Sequence, residues 1–109
     1  MATRSAIFHE ATGQLRYIHF DGYPEGVGVV LNAHYGTTDR VSALYARAAA
    51  ADLSSLAATP AESKWYDDEK LAFPFHYTAQ GAYIAVQKSD CEYMYTWNGV
   101  RWTVRKIYR

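Results

Sequence analysis

The sequence predicts an α+β fold: an antiparallel sheet built from N- and C-terminal β-hairpins, with two helices packed on one face. Paired runs of alternating apolar and aromatic residues at both ends of the chain indicate the hairpins, and two segments of helical periodicity lie between them. A length of 109 residues, 50% of them hydrophobic, suits a single domain, residues 1–109, with one core. We expect strands at about 4–9, 14–20, 91–97 and 100–107, helices at about 24–35 and 38–50, and an irregular segment at 57–80.

The N-terminal hairpin is predicted from two short runs on either side of a turn. Residues 6–8 and 15–20 mix β-branched and aromatic side chains with polar ones, which is typical of half-buried antiparallel strands. Residues 10–13 lie between them and end in Gly13, so they supply the turn.

Two helices are predicted between the hairpins. Asp21-Gly22 ends the preceding strand, Pro24 suits a first helical position because its missing N–H is not needed there, and Gly36 is expected to cap the C-terminus. The Thr37-Thr38 pair then begins the second helix. Residues at helical spacing should face the core, and they are Val27, Val30, Leu31, His34, Val41, Leu44, Tyr45 and Ala48.

Residues 57–80 show neither helical nor strand periodicity, because two prolines interrupt them and aromatic residues are scattered among acidic ones. A connection of this length in a compact domain is often functional. We therefore assign a partner-binding site to its aromatic and acidic residues, which are Trp65, Tyr66, Asp67, Asp68, Glu69, Phe73 and Phe75. The alternative is that these rings fold back as a lid over the sheet. Residues 82–87 fit a strand or a short helix, and we favour the helix.

The C-terminal hairpin is predicted around Asn98-Gly99, the preferred pair for a two-residue type I′ turn. This turn places Tyr95 opposite Trp102 on the buried face, and Glu92 opposite Arg105 on the other face. The sheet side of the core is then formed by aromatic and β-branched residues of both strands, which are Tyr93, Tyr95, Trp97, Trp102 and Val104.

Composition narrows the classes of function. Eleven Lys and Arg residues balance eleven Asp and Glu residues, so the chain lacks the basic excess of nucleic-acid binders and the acidic excess of DNA mimics. Cys91 is the single cysteine, which excludes an internal disulfide and a multi-cysteine metal site and favours a reducing cytoplasm. The sequence shows no signal peptide and no run of about 18 apolar residues, so we expect no membrane partner.

Few residues form a candidate catalytic or metal-binding constellation. His19 and Asp21 stand two apart and could hold a divalent metal, but the alternative has Asp21 capping the first helix and His19 hydrogen-bonding locally. Cys91 lacks a Cys-His signature, and the glycines after Asp21 lack the spacing and the lysine of a phosphate-binding loop. We therefore predict a non-enzymatic protein without a cofactor.

A basic edge on the last strand suggests a second function, nucleic-acid binding. Its cations are interleaved with Trp102 and Tyr108, and a sheet face carrying arginines and aromatic rings can stack on a single strand and neutralise it. A solvated outer face with cross-strand pairs explains the same alternation. The basic residues are Arg101, Arg105, Lys106 and Arg109.

Residues 17–28 read Tyr-Ile-His-Phe-Asp-Gly-Tyr-Pro-Glu-Gly-Val-Gly, and this run resembles the H-[WF]-D-G-Y-P-x-G-x-G signature of a family of small bacteriophage and prophage proteins. The resemblance extends to the segments Thr3-Arg4-Ser5, His34-Tyr35 and Asp52-Leu53-Ser54-Ser55-Leu56 and to the hairpin around Asn98-Gly99. It implies phage or prophage origin, a location in the cytoplasm of the bacterial host and an accessory role, but no chemistry.

By analogy with phage proteins of this size, we expect the chain to bind and inhibit a host protein. A bacterial defence complex such as a CRISPR system is the target class that this analogy suggests. Nucleic acid is the alternative partner. The sequence leaves both a monomer and a homodimer open.

Overall fold

The structure, a computed structural model, describes residues 2–67 and 70–108. The strands of this part are β1 (Ser5–His9), β2 (Gln14–Ile18), β3 (Leu53–Ser55), β4 (Lys64–Trp65), β5 (Tyr93–Trp97) and β6 (Trp102–Lys106). Its α-helices are α1 (Val29–His34), α2 (Thr38–Arg47) and α3 (Ala79–Gln87), and one turn of π-helix, Pro24–Gly28, leads directly into α1. No helix in the described ranges is long and apolar enough to cross a membrane. Three residues predicted for candidate sites lie outside these ranges, namely Asp68, Glu69 and Arg109.

The six strands form one mixed sheet in the order β4-β3-β2-β1-β5-β6. β1 pairs antiparallel with β2, and β5 pairs antiparallel with β6, but the two hairpins are joined by a parallel pairing of β1 with β5. The prediction of a sheet combined with helices is confirmed, whereas a purely antiparallel sheet is wrong. A parallel neighbour needs a long crossover connection, and the chain between β1 and β5 includes all three helices.

Helices cover both faces of the sheet. On one face, the core joins buried residues of α1 and α2 to sheet residues that include Ile7 and Tyr95. On the other face, α3 contributes Ala82 and Val86 to a second core with Phe8 of β1. The predicted arrangement, with two helices on one face, is therefore wrong in leaving the second face uncovered. Both faces of β1 are buried, as its five consecutive buried residues require.

Residues 57–80, predicted to be irregular, contain the strand β4 and the start of α3. β4 pairs antiparallel with β3 at one edge of the sheet. α3 begins where the hydroxyl oxygen of Thr78 accepts a hydrogen bond of 3.1 Å from the amide of Gly81. Such a side-chain cap satisfies a helix amide that has no partner within the helix. The prediction of an irregular segment is therefore wrong at these two places.

The C-terminal hairpin has a longer connection than predicted. Tyr95 pairs with Val104 rather than with Trp102, and Met94 rather than Glu92 lies opposite Arg105. The side-chain oxygen of Asn98 accepts hydrogen bonds of 2.9 Å from the amides at positions 100 and 101, which stabilises a connection over residues 98–101. The type I′ turn is therefore wrong, and the described residues with positive φ do not include Asn98. Because the register moves by two positions, each side chain keeps its predicted face, although Val104 is exposed.

A buried guanidinium marks the C-terminal end of α2, which stops at Arg47 rather than near residue 50. Arg16 of β2 is 5% exposed and donates from Nε to the carbonyl of Ala48 at 2.6 Å and from Nη2 to that of Ala49 at 3.4 Å. Carbonyls at a helix C-terminus lack helical partners and attract a cation. Burial lowers the pKa of Arg16, because the charged form loses solvation. The cap therefore ties β2 to α2 across the core.

Candidate protein-binding surface

The junction between β2 and the first helix is built by backbone contacts rather than by a side-chain cap. Asp21 adopts a left-handed conformation with φ 57°, and its carbonyl accepts a hydrogen bond of 2.8 Å from the amide of Val27. The amide of Gly22 donates to the carbonyl of Thr3 at 2.8 Å. The predicted cap is wrong, because the Asp21 carboxylate accepts instead from the hydroxyl of Tyr23 at 3.2 Å.

Three glycines of this junction stand where the chain packs closely, and at two of them, Gly22 and Gly26, a side chain cannot fit without a shift of the backbone. A Cβ atom at Gly22 would lie 2.7 Å from both Ser5 Cβ and the Thr3 carbonyl oxygen. At Gly26 it would overlap the carbonyl oxygen of Asp21, and at Gly28 it would lie 3.3 Å from the ring of Tyr95. Close backbone approach therefore accounts for the glycine spacing, which needs no phosphate ligand to explain it.

The junction nevertheless exposes large apolar side chains. Phe20 is 45% exposed, Tyr23 is 38% exposed and Val29 is 58% exposed. These three residues and the carboxylates of Asp21 and Glu25 are called the motif surface below. Together with Leu56 they line a groove of about 220 Å³. An apolar cluster beside charged groups is a common composition for a protein-binding surface.

A second groove, of about 440 Å³, lies on the other side of Val29 and is called the edge groove. It runs between the first helix and the sheet edge, and its walls include Pro24, Ala33, Trp102 and Val104. Because Val29 lines both grooves, the edge groove and the motif surface are adjacent. Exposed apolar side chains therefore continue from the junction to the last strand.

β6 leaves one side of its backbone open at the edge groove. β6 is an edge strand of the sheet and pairs with β5 on its inner side. The amide of Ile107 donates to the carbonyl of Glu92, and the amide of Asn98 donates to the carbonyl of Arg101, so positions 101, 103, 105 and 107 direct their polar groups towards β5. Since these groups alternate along an antiparallel strand, the amides and carbonyls at 102, 104 and 106 point away from the sheet.

The aromatic residues predicted to bind a partner do not form one surface. Trp65 packs against the core beneath the guanidinium of Arg47, at 4.6 Å from its ring centre, and donates from Nε1 to the carbonyl of Pro60 at 2.9 Å. Phe73 is buried in the core on the opposite face of the sheet, whereas Phe75 is 69% exposed. The positions of Trp65 and Phe73 therefore fit the predicted lid over the sheet better than the predicted exposed partner-binding site.

The two remaining described members of that predicted set, Tyr66 and Asp67, lie near the sheet edge at β4. Tyr66 is partly buried, with its ring centre 6.5 Å from that of His19, and Asp67 is exposed. The ring of Phe75 pairs instead with that of Tyr77, with 6.3 Å between the ring centres.

The predicted metal ligands His19 and Asp21 are engaged separately. Nδ1 of His19 shares a hydrogen bond of 2.7 Å with the hydroxyl of Tyr17, and the Asp21 carboxylate accepts from Tyr23. In residues 2–67 and 70–108, no cluster of three or more His, Cys, Asp and Glu side chains is placed to hold a metal ion. Cys91 is buried in the core beside α3.

The basic residues of β6 are divided between the two faces of the strand. The guanidinium of Arg105 lies 3.7 Å from the centre of the Tyr83 ring on the α3 side, and Lys106, one position along, belongs to the opposite face. Trp102 is buried and donates from Nε1 to the carbonyl of Tyr35 at 2.8 Å, so its ring is not free to stack on a base. Arg101 is exposed in the connection of the hairpin.

The sequence interpretation missed Phe20, Tyr23 and Val29 as surface residues. They lie in the junction where Asp21-Gly22 was interpreted as the end of a strand and Pro24 as the start of a helix. Because this structural role explained the segment, no binding role was assigned to it. The available signal was Val29, which falls outside the predicted buried helical face of Val27, Val30 and Leu31.

Comparison with protein-family models, curated proteins and solved structures gave no match for this chain.

Proposed function

We propose that the chain is a non-enzymatic phage accessory protein that binds and inhibits a host protein through the motif surface. The observation that carries the proposal is the exposure of Phe20, Tyr23 and Val29 beside the carboxylates of Asp21 and Glu25. Exposed aromatic residues in a fixed backbone setting lose little conformational entropy on binding and often supply interface hot spots.

The rigidity of the junction supports this proposal. Tyr95 donates a hydrogen bond of 2.6 Å to the carbonyl of Gly22, and the Val27 amide closes the turn onto Asp21. Phe20 and Tyr23 flank this fixed segment, so their backbone is ordered before a partner arrives. Preorganisation lowers the entropic cost of association.

Phage origin and action in the bacterial cytoplasm are part of the proposal and rest on the resemblance of residues 17–28 to the phage-protein signature. A bacterial defence complex, as in an anti-CRISPR role, is the target class we propose. The acidic groups of the motif surface suit a basic patch on the partner, because opposite charges favour encounter and orientation. Nucleic-acid binding by Arg101, Arg105 and Lys106 remains the second candidate, although the burial of Trp102 removes one stacking residue.

The test is capture from a bacterial lysate by the tagged protein, with bound protein and nucleic acid both identified. The double substitution Phe20→Ala and Tyr23→Ala should reduce capture of a host protein at least about tenfold, as the loss of two anchors predicts. Phe75→Ala is the matched control, because Phe75 is an exposed aromatic residue away from the motif surface. Unchanged melting temperatures show that both variants are folded.

Inhibition is tested separately with the purified partner. Its activity should fall as wild-type protein is added up to equimolar amounts, and the double variant should need at least about ten times more protein. Equal capture by the double variant and the wild type contradicts the motif surface as the binding site. Capture of nucleic acid, lost on Arg101→Ala and Arg105→Ala, favours the second candidate.

A further inference from the structure

The outward backbone groups of β6 offer hydrogen bonds to an added strand. The amides and carbonyls at positions 102, 104 and 106 point away from β5, and the edge groove lies beside them. Among the described residues, no backbone hydrogen bond joins these groups to a neighbouring element. An extended peptide can pair with such an edge while its alternate side chains enter the adjacent groove.

The charges beside this edge select an acidic occupant. Arg101, Arg105 and Lys106 are exposed along this edge, with Arg105 over the ring of Tyr83. The salt bridge found among the described residues, Arg4 with Asp90, does not involve them. Carboxylates on an added strand would lie opposite these cations and form cross-strand pairs. We propose that the open edge of β6 binds an extended acidic segment of a partner protein, which becomes a seventh strand of the sheet with apolar side chains in the edge groove.

The same charges disfavour a second copy of this chain as the occupant. A twofold antiparallel pairing of β6 about Val104 would place the Arg105 residues of the two copies diagonally across from each other, where like charges repel. Cationic side chains on edge strands are a common protection against pairing between identical edges. A carboxylate-bearing segment removes this repulsion, so the charge that opposes self-association favours the proposed partner.

The proposal deepens the proposed function, on which it rests, by naming the chemistry of the partner segment. The edge groove and the motif surface share Val29, so one partner can place an extended segment on β6 and a basic patch against Asp21 and Glu25. The two contacts are separable by mutation, because the residues that line the open edge are distinct from Phe20 and Tyr23.

The probe is a synthetic heptapeptide, acetyl-Glu-Val-Glu-Val-Glu-Val-Glu-amide, which alternates apolar and acidic side chains. Added to the wild-type protein at up to about 1 mM, it should slow hydrogen exchange of the amides of Trp102, Val104 and Lys106 in a saturable manner. The same peptide with Lys in place of Glu should bind at least about tenfold more weakly. A protein without added peptide should remain monomeric at the same concentration.

Val104→Pro removes an outward amide while leaving the hydrogen bonds to β5 in place, so it should keep the fold and weaken binding of the acidic probe at least about tenfold. Val104→Thr is the matched control, since it keeps both the amide and a β-branched side chain. Arg105→Glu is the second variant, and it should reduce the difference in affinity between the Glu and Lys peptides, because it replaces one of the three cations by an acid.

Several outcomes would overturn the inference. They are no saturable binding of the acidic probe, equal binding of both peptides, protection of amides elsewhere in the chain, or protection of the β6 amides by self-association without peptide. Capture from lysate separates this inference from the proposed function. If Val104→Pro captures the same host protein as wild type while the Phe20 and Tyr23 double variant does not, the edge inference fails and the proposed function stands.

Discussion

The phenol of Tyr95 donates a hydrogen bond of 2.6 Å to the carbonyl oxygen of Gly22, 73 positions away in the sequence. This contact joins the centre of β5 to the junction between β2 and the first helix. Burial raises the pKa of Tyr95 well above its ordinary value, so the hydroxyl stays protonated and available as a donor at all physiological pH values. The motif surface is therefore held in place from beneath by a residue of the sheet.

Removing this hydroxyl should destabilise the protein without changing its fold. Tyr95→Phe keeps the ring but leaves the buried carbonyl of Gly22 without its side-chain donor, which should lower the free energy of unfolding by about 1–3 kcal/mol. Tyr23→Phe is the control, because it removes a hydroxyl whose hydrogen bond to Asp21 is exposed to water, and it should change stability by less than about 0.5 kcal/mol. Urea unfolding measures both. Equal effects of the two substitutions would contradict the structural role of Tyr95.

A methyl group at Gly26 should be poorly tolerated. The Cβ atom of Gly26→Ala would overlap the carbonyl oxygen of Asp21, so the junction must shift at an expected cost of about 1–3 kcal/mol. Gly36→Ala is the matched control, because the nearest atom to its Cβ is the Asn32 carbonyl oxygen at 3.5 Å, an ordinary contact. Thermal unfolding of the two variants tests this. A melting temperature of Gly26→Ala at or above that of Gly36→Ala would show that the junction is less tightly packed than described.

Local patterns in the sequence predicted the strands of the hairpins better than the way the hairpins are joined. The alternation of Tyr95 and Trp97 placed both side chains on the same buried face, because side-chain direction has a strict period of two. The register depended on whether Asn98 supplies a positive φ or a side-chain acceptor, and both roles are common for this residue. The parallel pairing of β1 with β5 is a contact between distant segments, and no short-range pattern encodes it.

The candidate site was harder to predict, because exposure depends on what covers a side chain. Phe73 and Phe75 stand two apart in the same segment, yet the first is buried beneath the sheet and the second lies in solvent. The sequence likewise did not show whether Phe20 and Tyr23 are buried or exposed, because the glycines and the proline of their segment already had a structural explanation. An apolar side chain shows its role only when the packing of distant elements is known.

The register of the C-terminal hairpin predicts a difference between two neighbouring proline substitutions. The amide of Thr103 points towards β5, so Thr103→Pro should remove a hydrogen bond of the sheet and lower stability by about 2 kcal/mol or more. The amide of Val104 points outwards, so Val104→Pro should cost less than about 1 kcal/mol. Chemical unfolding measures the contrast. The opposite order of stability would show that the register is displaced by one residue.

Stability should depend on pH through His9, a buried residue that packs on α2. His9 is 8% exposed, its ring centre lies 5.1 Å from that of Tyr45, and among the described residues neither its Nδ1 atom nor the Tyr45 hydroxyl has a hydrogen-bond partner. Burial lowers the pKa of His9 below its ordinary value of 6.5, because the charged imidazolium is poorly solvated there. The neutral form therefore stabilises the fold.

The sign of the pH dependence follows from this lowered pKa. Below pH 6.5 the unfolded chain binds a proton at His9, whereas the folded chain resists protonation. The contribution of His9 to the free energy of unfolding is therefore fully present above pH 6.5 and decreases as the pH falls towards the folded pKa. One such group changes the free energy of unfolding by at most about 1.4 kcal/mol per pH unit. His9→Leu should flatten the profile of unfolding free energy between pH 7.5 and about pH 5 relative to wild type, whereas the exposed control His34→Leu should retain it. Parallel profiles for wild type and His9→Leu would show that protonation of another group controls stability in this range.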